Sequence, residues 1–326
     1  MFHDDCKSEL LGVITKKLNS TFEVSVDHRV IQCRVVGNLS GNRPSQSSKR
    51  TLAGLLAGIT VGDEVRVRLI GSQEGVITAL LPRRSVFGRR AALSMPDKYP
   101  REQVIAANVN QVLAVFSVTQ PDPHWNLLDR YLVACEDAGL SAVICVTKAD
   151  LLEHQNHQFE QENLQIIEDF RRIGYPVIFT STRTGEGLDD VRSILFGQVS
   201  LIIGKSGVGK TSLLNALQTE RSLRVGDVNP ITGKGRHTTT HLEMIPLEGG
   251  GFIIDTPGMR EFGLWDIPAD ELAANFPEMR DLLGRCKFGL NCAHDEEAGC
   301  AVRRAVMEGL IHPRRYRSYL RLRGTQ

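Results

Sequence analysis

The strongest constraint on the fold is a glycine-rich octapeptide at residues 204–211, Gly-Lys-Ser-Gly-Val-Gly-Lys-Thr. Residues 199–203 before it form an apolar run of strand length, and residues 212–217 after it have helical apolar spacing. In such a strand–loop–helix unit, glycines let backbone N–H groups close around phosphate oxygens at the start of the helix. The octapeptide therefore predicts a phosphate-binding loop within an α/β domain.

Two side chains of this loop have specific predicted roles. The Lys210 ammonium is placed to reach the β- and γ-phosphates of a nucleotide, and the Thr211 hydroxyl is placed to bind Mg²⁺. A chance glycine-rich loop is the alternative, which the strand and helix on either side disfavour. The predicted phosphate-binding residues are Gly204, Lys205, Ser206, Gly207, Val208, Gly209, Lys210, Thr211 and Ser212.

A second apolar run, residues 251–255, ends in a carboxylate and continues as Asp255-Thr-Pro-Gly258. Asp255 is suited to hold the Mg²⁺ shell through water, and the Gly258 N–H is suited to the γ-phosphate. Asp-Thr-Pro-Gly is a common turn sequence when it occurs alone. Downstream of a phosphate loop, it indicates the magnesium side of a nucleotide site.

A third apolar run, residues 141–146, leads into Thr147-Lys148-Ala-Asp150. Guanine presents N1–H and an exocyclic amine side by side, and the Asp150 carboxylate can accept from both. The Lys148 stem can lie along the face of the base. Thr147 stands where many GTPases carry Asn, and its hydroxyl can make a similar local bond. The tetrapeptide therefore predicts guanine recognition.

These segments occur in a permuted order. The guanine-type tetrapeptide at 147–150 precedes the phosphate loop at 204–211, and Asp255 follows both. Ser181, Thr182 and Arg183 come at the end of another predicted strand and are expected beside the base. A site depends on geometry and not on chain order. The permutation therefore preserves the site, but it changes which segments of the chain are attached to the loops that form it.

Three features together point to one family of proteins. They are the permuted order, the sequence Gly-Arg-His-Thr-Thr-Thr at 235–240 and a Cys/His cluster near the carboxyl end. Over nearly its whole length the chain resembles the RsgA/YjeQ family of small-ribosomal-subunit biogenesis GTPases. The resemblance implies that Thr239 completes the Mg²⁺ shell and that His237 orients or deprotonates the attacking water. The catalytic residues are then His237, Lys210 and Thr239. The alternative for His237 is an ordinary surface histidine.

The residue after Asp255-Thr-Pro-Gly258 is Met259, where Ras-like enzymes carry the Gln that orients water. A thioether cannot orient water. We therefore expect slow hydrolysis by the isolated protein unless another group positions the water.

Three domains are predicted. Residues 1–88 contain five short alternating strands, at 11–15, 22–26, 30–35, 61–69 and 75–80, which suit an OB-fold barrel. A basic linker extends to about residue 101, residues 102–263 form the permuted GTPase domain, and residues 264–326 form a helical zinc-binding domain. The barrel either contacts RNA or serves as a plain scaffold.

Four metal-ligand side chains lie within one short stretch: Cys286, Cys292, His294 and Cys300. Three thiolates and an imidazole suit one tetrahedral Zn²⁺ ion, and the site is expected to be structural because protein fills all four positions. Free reduced thiols are the alternative.

The net charge of +1 conceals two basic regions. One is the stretch 82–90, and the other lies near the carboxyl end, where Tyr316 and Tyr319 are interleaved with arginines. Those arginines are Arg303, Arg304, Arg314, Arg315, Arg317, Arg321 and Arg323. Clustered arginines can contact phosphates even in a nearly neutral protein, so the sequence predicts RNA contact.

The sequence therefore predicts Mg²⁺-dependent hydrolysis of GTP to GDP and phosphate, stimulated by the small ribosomal subunit and its rRNA. One alternative is an rRNA-binding scaffold that holds guanine nucleotide with little turnover, and another is an ATPase or kinase, which Asp150 disfavours. No stretch approaches the ~20 apolar residues of a membrane span. We expect a cytoplasmic monomer.

Overall fold

The architecture comes from a computed structural model that describes residues 9–18, 20–27, 29–35, 58–90, 102–154, 157–218, 242–255 and 267–324. These residues form two compact units. The first unit contains the described residues of Met1–Asn110, Ile194–Ile202 and His237–Gly258. The second contains those of Gln111–Ser193, Ile203–Arg236 and Met259–Gln326. Each unit therefore gathers segments that are far apart in the chain.

The amino-terminal part of the first unit is a closed barrel. Its strands are β1 (Leu10–Lys17), β2 (Phe22–Val26), β3 (Arg29–Val35), β4 (Glu64–Leu69) and β5 (Glu74–Leu80). They pair in the order β1-β2-β3-β5-β4, and β4 pairs back with β1. Strands β3 and β5 are parallel, whereas their neighbours pair antiparallel. This order is OB-like and confirms the predicted barrel.

Alternation of side chains forms the core of the barrel. Along β2, Phe22, Val24 and Val26 are buried, and the residues between them are only partly covered. The predicted strand at 61–69 begins instead at Glu64, because Val61 forms a separate parallel bridge with Ala106.

The first unit also contains strands outside the barrel. Strands β6 (Val86–Arg90) and β7 (Glu102–Ala107) form an antiparallel pair in a region where the sequence predicted a basic linker. Three further strands lie side by side: β11 (Val199–Ile203), β12 (Glu243–Pro246) and β13 (Phe252–Asp255). Strand β11 is parallel to β13. Strand β12 runs antiparallel to β13, and its Glu243 lies opposite Lys16 of β1.

The second unit is built from parallel strands and helices. Its strands are β8 (Gln111–Ser117), β9 (Ser141–Thr147) and β10 (Val177–Thr180), in the order β10-β9-β8. Its helices include α1 (Trp125–Asp137), α2 (His157–Ile173), α3 (Leu188–Leu195) and α4 (Lys210–Leu217). Every residue of β8 is buried, as expected for a strand covered on both faces. The carboxyl ends of parallel strands meet at one edge of the sheet, which places the loops that follow them together.

The carboxyl-terminal part of the second unit is a small helical module. It contains α5 (Pro277–Arg280), α6 (Ala301–Met307) and α7 (Pro313–Arg323), with 3₁₀ turns at Leu272–Asn275 and Gly289–Asn291. Phe276, Val302 and Tyr319 lie at the centre of the module core, and Val133 of α1 packs against them. In the part of the chain that the structure describes, no helix is both long and apolar enough to cross a bilayer.

Buried ion pairs attach this module to α1. The Arg315 guanidinium is 1% exposed and donates to the Asp129 carboxylate at 2.7 Å and to Glu278 of α5 at 2.7 Å. Arg314 also donates to Asp129, at 2.6 Å. The Arg315 guanidinium carbon lies 4.6 Å from the centre of the Phe276 ring. Because buried charges must be paired, these contacts fix the orientation of α7 on α1.

Candidate functional site

The phosphate loop occupies the turn between β11 and α4. Gly204, Gly207 and Gly209 have positive φ angles of 155°, 84° and 95°, which L-residues with a side chain rarely adopt. A Cβ atom on Gly204 would lie 2.3 Å from the Val115 carbonyl oxygen of β8, so a side chain cannot be accommodated there. These positions explain why the loop requires glycine.

Lysine and backbone groups form the phosphate-facing part of this loop. The Lys210 ammonium folds back and donates to the carbonyl oxygens of Gly204 at 2.6 Å and Lys205 at 2.8 Å. Helix α4 begins at Lys210, directly after Gly209, and has no side-chain cap at its N-terminus. The first-turn residues Thr211 and Ser212 are half-buried, Ser206 is exposed and Val208 is buried. Uncapped N–H groups beside an ammonium constitute an anion-binding arrangement.

The guanine-type tetrapeptide lies against this loop. The Thr147 hydroxyl is 2.5 Å from the Val208 carbonyl oxygen and 3.1 Å from that of Phe116, and it can donate to either. Thr147 is only 3% exposed. A hydroxyl is therefore sufficient for the local bond that the sequence analysis expected at this position. Two segments separated by 61 residues thus meet in one place.

Asp150 faces an open cavity of about 730 Å³, lined by Ala149, Asp150, Arg183, Thr184, Gly185 and Glu186. The Ser181 hydroxyl donates to the Asp150 carboxylate at 2.6 Å and accepts from the backbone N–H groups of Arg183 and Thr184, both at 3.2 Å. Ser181 therefore holds the carboxylate in a fixed orientation, and Thr182 beside it is exposed. Ser181 thus contacts the predicted guanine-reading carboxylate, and the placement of Ser181 and Thr182 beside the base stays a prediction.

Arg183 follows Ser181 and Thr182 in the segment that the sequence analysis expected beside the base. Its guanidinium lies 3.9 Å from the second oxygen of Asp150 and is 81% exposed. The turn signal Arg-Thr-Gly-Glu-Gly that follows β10 marks this loop in the sequence, but only the fold shows that it lines the cavity.

Lys148 adopts the left-handed backbone region, with a φ angle of 59°. Its ammonium donates to the Gln120 carbonyl oxygen, in a turn that follows β8. Burial lowers the pKa of Lys148, and the nearby Asp150 carboxylate acts in the opposite direction. The sequence analysis missed this turn because it contains no recognised motif.

Asp255 ends β13 opposite Ile202 of β11 and is 8% exposed. The other predicted residues of the magnesium and catalytic side, His237, Thr239 and Gly258, lie outside the described residues, as does Met259. Their roles remain predictions.

The four predicted metal ligands converge at one buried point. The ligand atoms of Cys286, Cys292, His294 and Cys300 all lie within 4.8 Å of one another. The His294 Nδ1 atom is 3.5 Å from both the Cys286 and the Cys300 sulfur, and those sulfurs are 3.9 Å apart. A tetrahedral zinc site has edges of about 3.6 Å between sulfur and nitrogen and about 3.8 Å between sulfurs. The donors and spacing therefore fit a tetrahedral metal ion.

A second layer of bonds holds these ligands. The backbone N–H groups of Ala301 and Arg303 donate to the sulfurs of Cys286 at 3.2 Å and Cys300 at 3.4 Å, as metal-bound thiolates require. Burial raises the pKa of the Cys300 thiol and lowers the pKa of His294. A divalent cation offsets that burial effect on the thiols, because it binds the thiolate form.

The two tyrosines predicted to accompany RNA-binding arginines support this loop instead. The Tyr319 hydroxyl donates to the Ala293 carbonyl oxygen at 2.8 Å, and the Tyr316 hydroxyl donates to that of His294 at 2.7 Å. Tyr319 is 1% exposed, so its ring is unavailable to a base.

Several arginines of the predicted basic clusters are likewise paired internally. Arg83 donates to the fully buried Asp63 carboxylate at 2.6 Å, and Arg84 pairs with Glu64. Arg314 and Arg315 pair with Asp129, as described above. Among the described residues, the carboxyl-terminal arginines without a carboxylate in ion-pair range are Arg303, Arg317, Arg321 and Arg323.

A phosphate loop joined to a guanine-type tetrapeptide that precedes it in the chain defines a circularly permuted P-loop GTPase fold. Residues 81–265 match the family model described as RsgA GTPase. The chain belongs to the RsgA GTPase family.

Relatives and solved structures agree with this assignment. The chain is 43% identical over 274 residues to the small ribosomal subunit biogenesis GTPase RsgA of Pseudomonas aeruginosa, covering 84% of this chain and 78% of that relative. It is 44% identical over 267 residues to the protein of the same name from Gemmatimonas aurantiaca, covering 81% and 83%.

Among solved structures, YjeQ from Thermotoga maritima matches with a TM-score of 0.74 and 27% identity, covering 97% of this chain and 98% of that one. YloQ, described as a circularly permuted GTPase, matches with a TM-score of 0.70 and 28% identity, covering 99% and 97%.

Proposed function

We propose that this protein hydrolyses GTP to GDP and phosphate with Mg²⁺, and that it acts in late assembly of the small ribosomal subunit, in the cytoplasm and as a monomer. The observation that carries the proposal is the bond between the Thr147 hydroxyl and the Val208 carbonyl oxygen, which joins guanine-type and phosphate-binding segments. The names of the RsgA relatives support the choice of the small subunit.

In the proposed ground state, the Asp150 carboxylate accepts from guanine N1–H and the exocyclic amine. Ser181 keeps that carboxylate oriented, through its bond of 2.6 Å. The Lys148 stem lies along the base, and Thr182 and Arg183 stand at its side. These contacts select guanine over adenine, because adenine offers no pair of adjacent donors at that edge.

At the other end of the nucleotide, Lys210 exchanges its carbonyl partners Gly204 and Lys205 for the β- and γ-phosphate oxygens. The backbone N–H groups of the phosphate loop and of Gly258 contact the same oxygens. A bound Mg²⁺ ion would supply positive charge to offset the charge that develops on the phosphates. Thr211, Asp255 and Thr239 are the residues proposed to hold it.

His237 is proposed to orient the attacking water, because Met259 has no group that can do so. This assignment predicts that hydrolysis accelerates when a partner brings His237 to the attacking water. The small subunit is the proposed partner, and its rRNA supplies the phosphates.

Zinc is the proposed occupant of the Cys/His centre. Three sulfurs and one nitrogen favour zinc over the oxygen-binding cations. With all four positions taken by protein, the ion is proposed to be structural, holding α6 and the loop 286–300 together.

RNA contact is proposed for the arginines that the module leaves unpaired. Arg317 and Arg321 are both exposed and are separated by one turn of α7, so they share a face. Arg303, at the start of α6, is also exposed. Phosphate contact by such residues supplies affinity without base specificity.

An rRNA-binding scaffold with little turnover is the second candidate, and Met259 favours it. Measuring GTP hydrolysis with isolated small subunits, with large subunits and with neither distinguishes the two. The proposed function predicts stimulation by small subunits alone. Equal rates in all three reactions would support the scaffold.

A further inference from the structure

The turn that follows β8, residues 117–122, belongs to none of the motifs described above. It has the sequence Ser-Val-Thr-Gln-Pro-Asp and connects β8 to the segment before α1. Ser117 is 1% exposed, whereas Gln120 at the tip is exposed. A polar side chain that is fully buried at the start of a turn requires a partner, and its partner shows what the turn does.

This 117–122 turn is bonded to the guanine-type half of the nucleotide site and borders its phosphate half. The Lys148 ammonium donates to the Gln120 carbonyl oxygen. On the phosphate side, a Cβ atom added to Gly207 would lie 3.6 Å from Cδ of Pro121, so Pro121 borders the loop. The turn therefore lies beside the guanine-type tetrapeptide and beside the phosphate loop.

Two side chains hold the turn in shape. The buried Ser117 hydroxyl donates to the Pro121 carbonyl oxygen at 2.7 Å, which closes the turn across four residues. The Thr119 hydroxyl donates to the Asp122 carboxylate at 3.2 Å. Gln120 between them has a φ angle of 53°, which is unfavourable for a residue with a side chain unless surrounding bonds enforce it. The carbonyl that receives Lys148 is thus held in position by its neighbours.

Lys148 depends on that carbonyl for its direction. Its stem has several rotatable bonds, and a fixed acceptor at the ammonium restricts the conformations that this half-buried side chain can adopt. The Gln120 carbonyl oxygen supplies one at the far end of the stem. The stem is then held between its own backbone and the turn, in the position where the face of a purine would rest.

We propose that Ser117 is a positioning residue for nucleotide binding, which acts through the Gln120 carbonyl to hold the Lys148 stem against the base. This inference rests on the proposed function, because it assumes a guanine nucleotide at the site. It assigns to Ser117 an effect on base binding and not on phosphate binding.

The test is a double-mutant cycle on GDP affinity, measured by calorimetry with the full chain. The variants are Ser117→Ala, Lys148→Met and the double variant. Methionine retains an unbranched stem and removes the ammonium. Ser193→Ala is the control, since the Ser193 hydroxyl donates to the Asp189 carbonyl oxygen on the exposed face of α3.

Loss of one hydrogen bond predicts that Ser117→Ala weakens GDP binding about fivefold. In the Lys148→Met background the same change should weaken it by less than about twofold, since Ser117 acts through the ammonium. Pyrophosphate, which has no base, should bind Ser117→Ala and the wild-type protein equally. Ser193→Ala should match the wild type for both ligands.

Equal losses of GDP affinity in both backgrounds, or a parallel loss of pyrophosphate affinity, would overturn the inference and leave the proposed function standing. Failure of the wild-type protein to bind GDP would overturn both. If circular dichroism shows that Ser117→Ala does not fold, Thr119→Ala takes its place in the same cycle, with the same outcomes deciding.

Discussion

The nucleotide site and the metal centre are both built from polar side chains, but the chain assembles them in opposite ways. The metal ligands Cys286 to Cys300 come from one stretch of fifteen residues, and all four are buried. The nucleotide site joins Thr147 and Asp150 to Ser181 and to a loop near residue 208, and it opens into a cavity. The local cluster is suited to hold an ion, whereas the parts of the dispersed site are brought together by one edge of the sheet.

The largest effect is expected from removing a metal ligand. Cys300→Ser should abolish binding of one zinc ion per chain and unfold the helical module, since structural zinc contributes about 10–16 kcal/mol of apparent binding energy in small domains. Zinc content and thermal unfolding measure this. Cys145→Ala, at a buried cysteine outside the centre, is the matched control and should keep its zinc. A Cys300→Ser protein with full zinc content would contradict the metal assignment.

The next effect concerns the contact between the module and α1. Asp129→Ala leaves the Arg314 guanidinium without a carboxylate partner and leaves the buried Arg315 guanidinium with Glu278 alone, and should lower the free energy of unfolding by about 3–5 kcal/mol. Asp189→Ala is the control, because its side chain is 96% exposed and its pair with Arg192 should contribute less than about 1 kcal/mol. Chemical denaturation compares them. Equal losses would show that the buried pairs do not anchor the module.

A smaller effect is expected where the two halves of the nucleotide site meet. Thr147→Val keeps the shape of the side chain and removes the hydroxyl, which leaves the Val208 carbonyl oxygen without that donor. The expected cost is about 1–3 kcal/mol, seen as a roughly fivefold or greater loss of GDP affinity. Thr78→Val, at a half-buried position on the barrel, should leave GDP affinity unchanged. Normal GDP binding by Thr147→Val would indicate that the two segments are positioned without this bond.

The smallest effect is expected at the surface of α7. The double substitution R317S/R321S should reduce the salt dependence of small-subunit binding by a slope of about 1 for each arginine that contacts a phosphate. The exposed Arg192, which already pairs with Asp189, is the control site for Arg192→Ser. Binding titrations over a range of salt concentrations measure the slopes. An unchanged slope for R317S/R321S would remove α7 from the RNA surface.

The sequence alone predicts those parts of the fold and of the site whose pattern lies in neighbouring residues. The barrel strands alternate with period 2, the phosphate loop has a fixed glycine spacing, and the metal ligands are close in the chain. The tight backbone of the phosphate loop could be predicted from Gly204, Gly207 and Gly209, because glycine adopts the positive φ angles found there. These features depend on neighbouring residues alone.

Long-range pairings could not be predicted in the same way. The partner of Arg315 is Asp129, which is 186 residues away, so an arginine counted as surface charge is fully buried. The Lys148 ammonium donates to the backbone carbonyl oxygen of Gln120. Every residue has such an oxygen, so the sequence does not show which one accepts. Strand β6 lies in a run of basic residues that is typical of a linker, and only its pairing with β7 makes it a strand.

The central claim is that segments distant in the chain form one pocket for guanine. The nucleotide preference of Asp150→Asn tests it most directly, by comparing hydrolysis of GTP and xanthosine triphosphate under identical conditions. An amide presents a donor where the carboxylate accepts, so the variant should lose its preference for GTP and use the xanthosine nucleotide better than the wild-type enzyme does. A variant that keeps the wild-type preference for GTP would contradict the account.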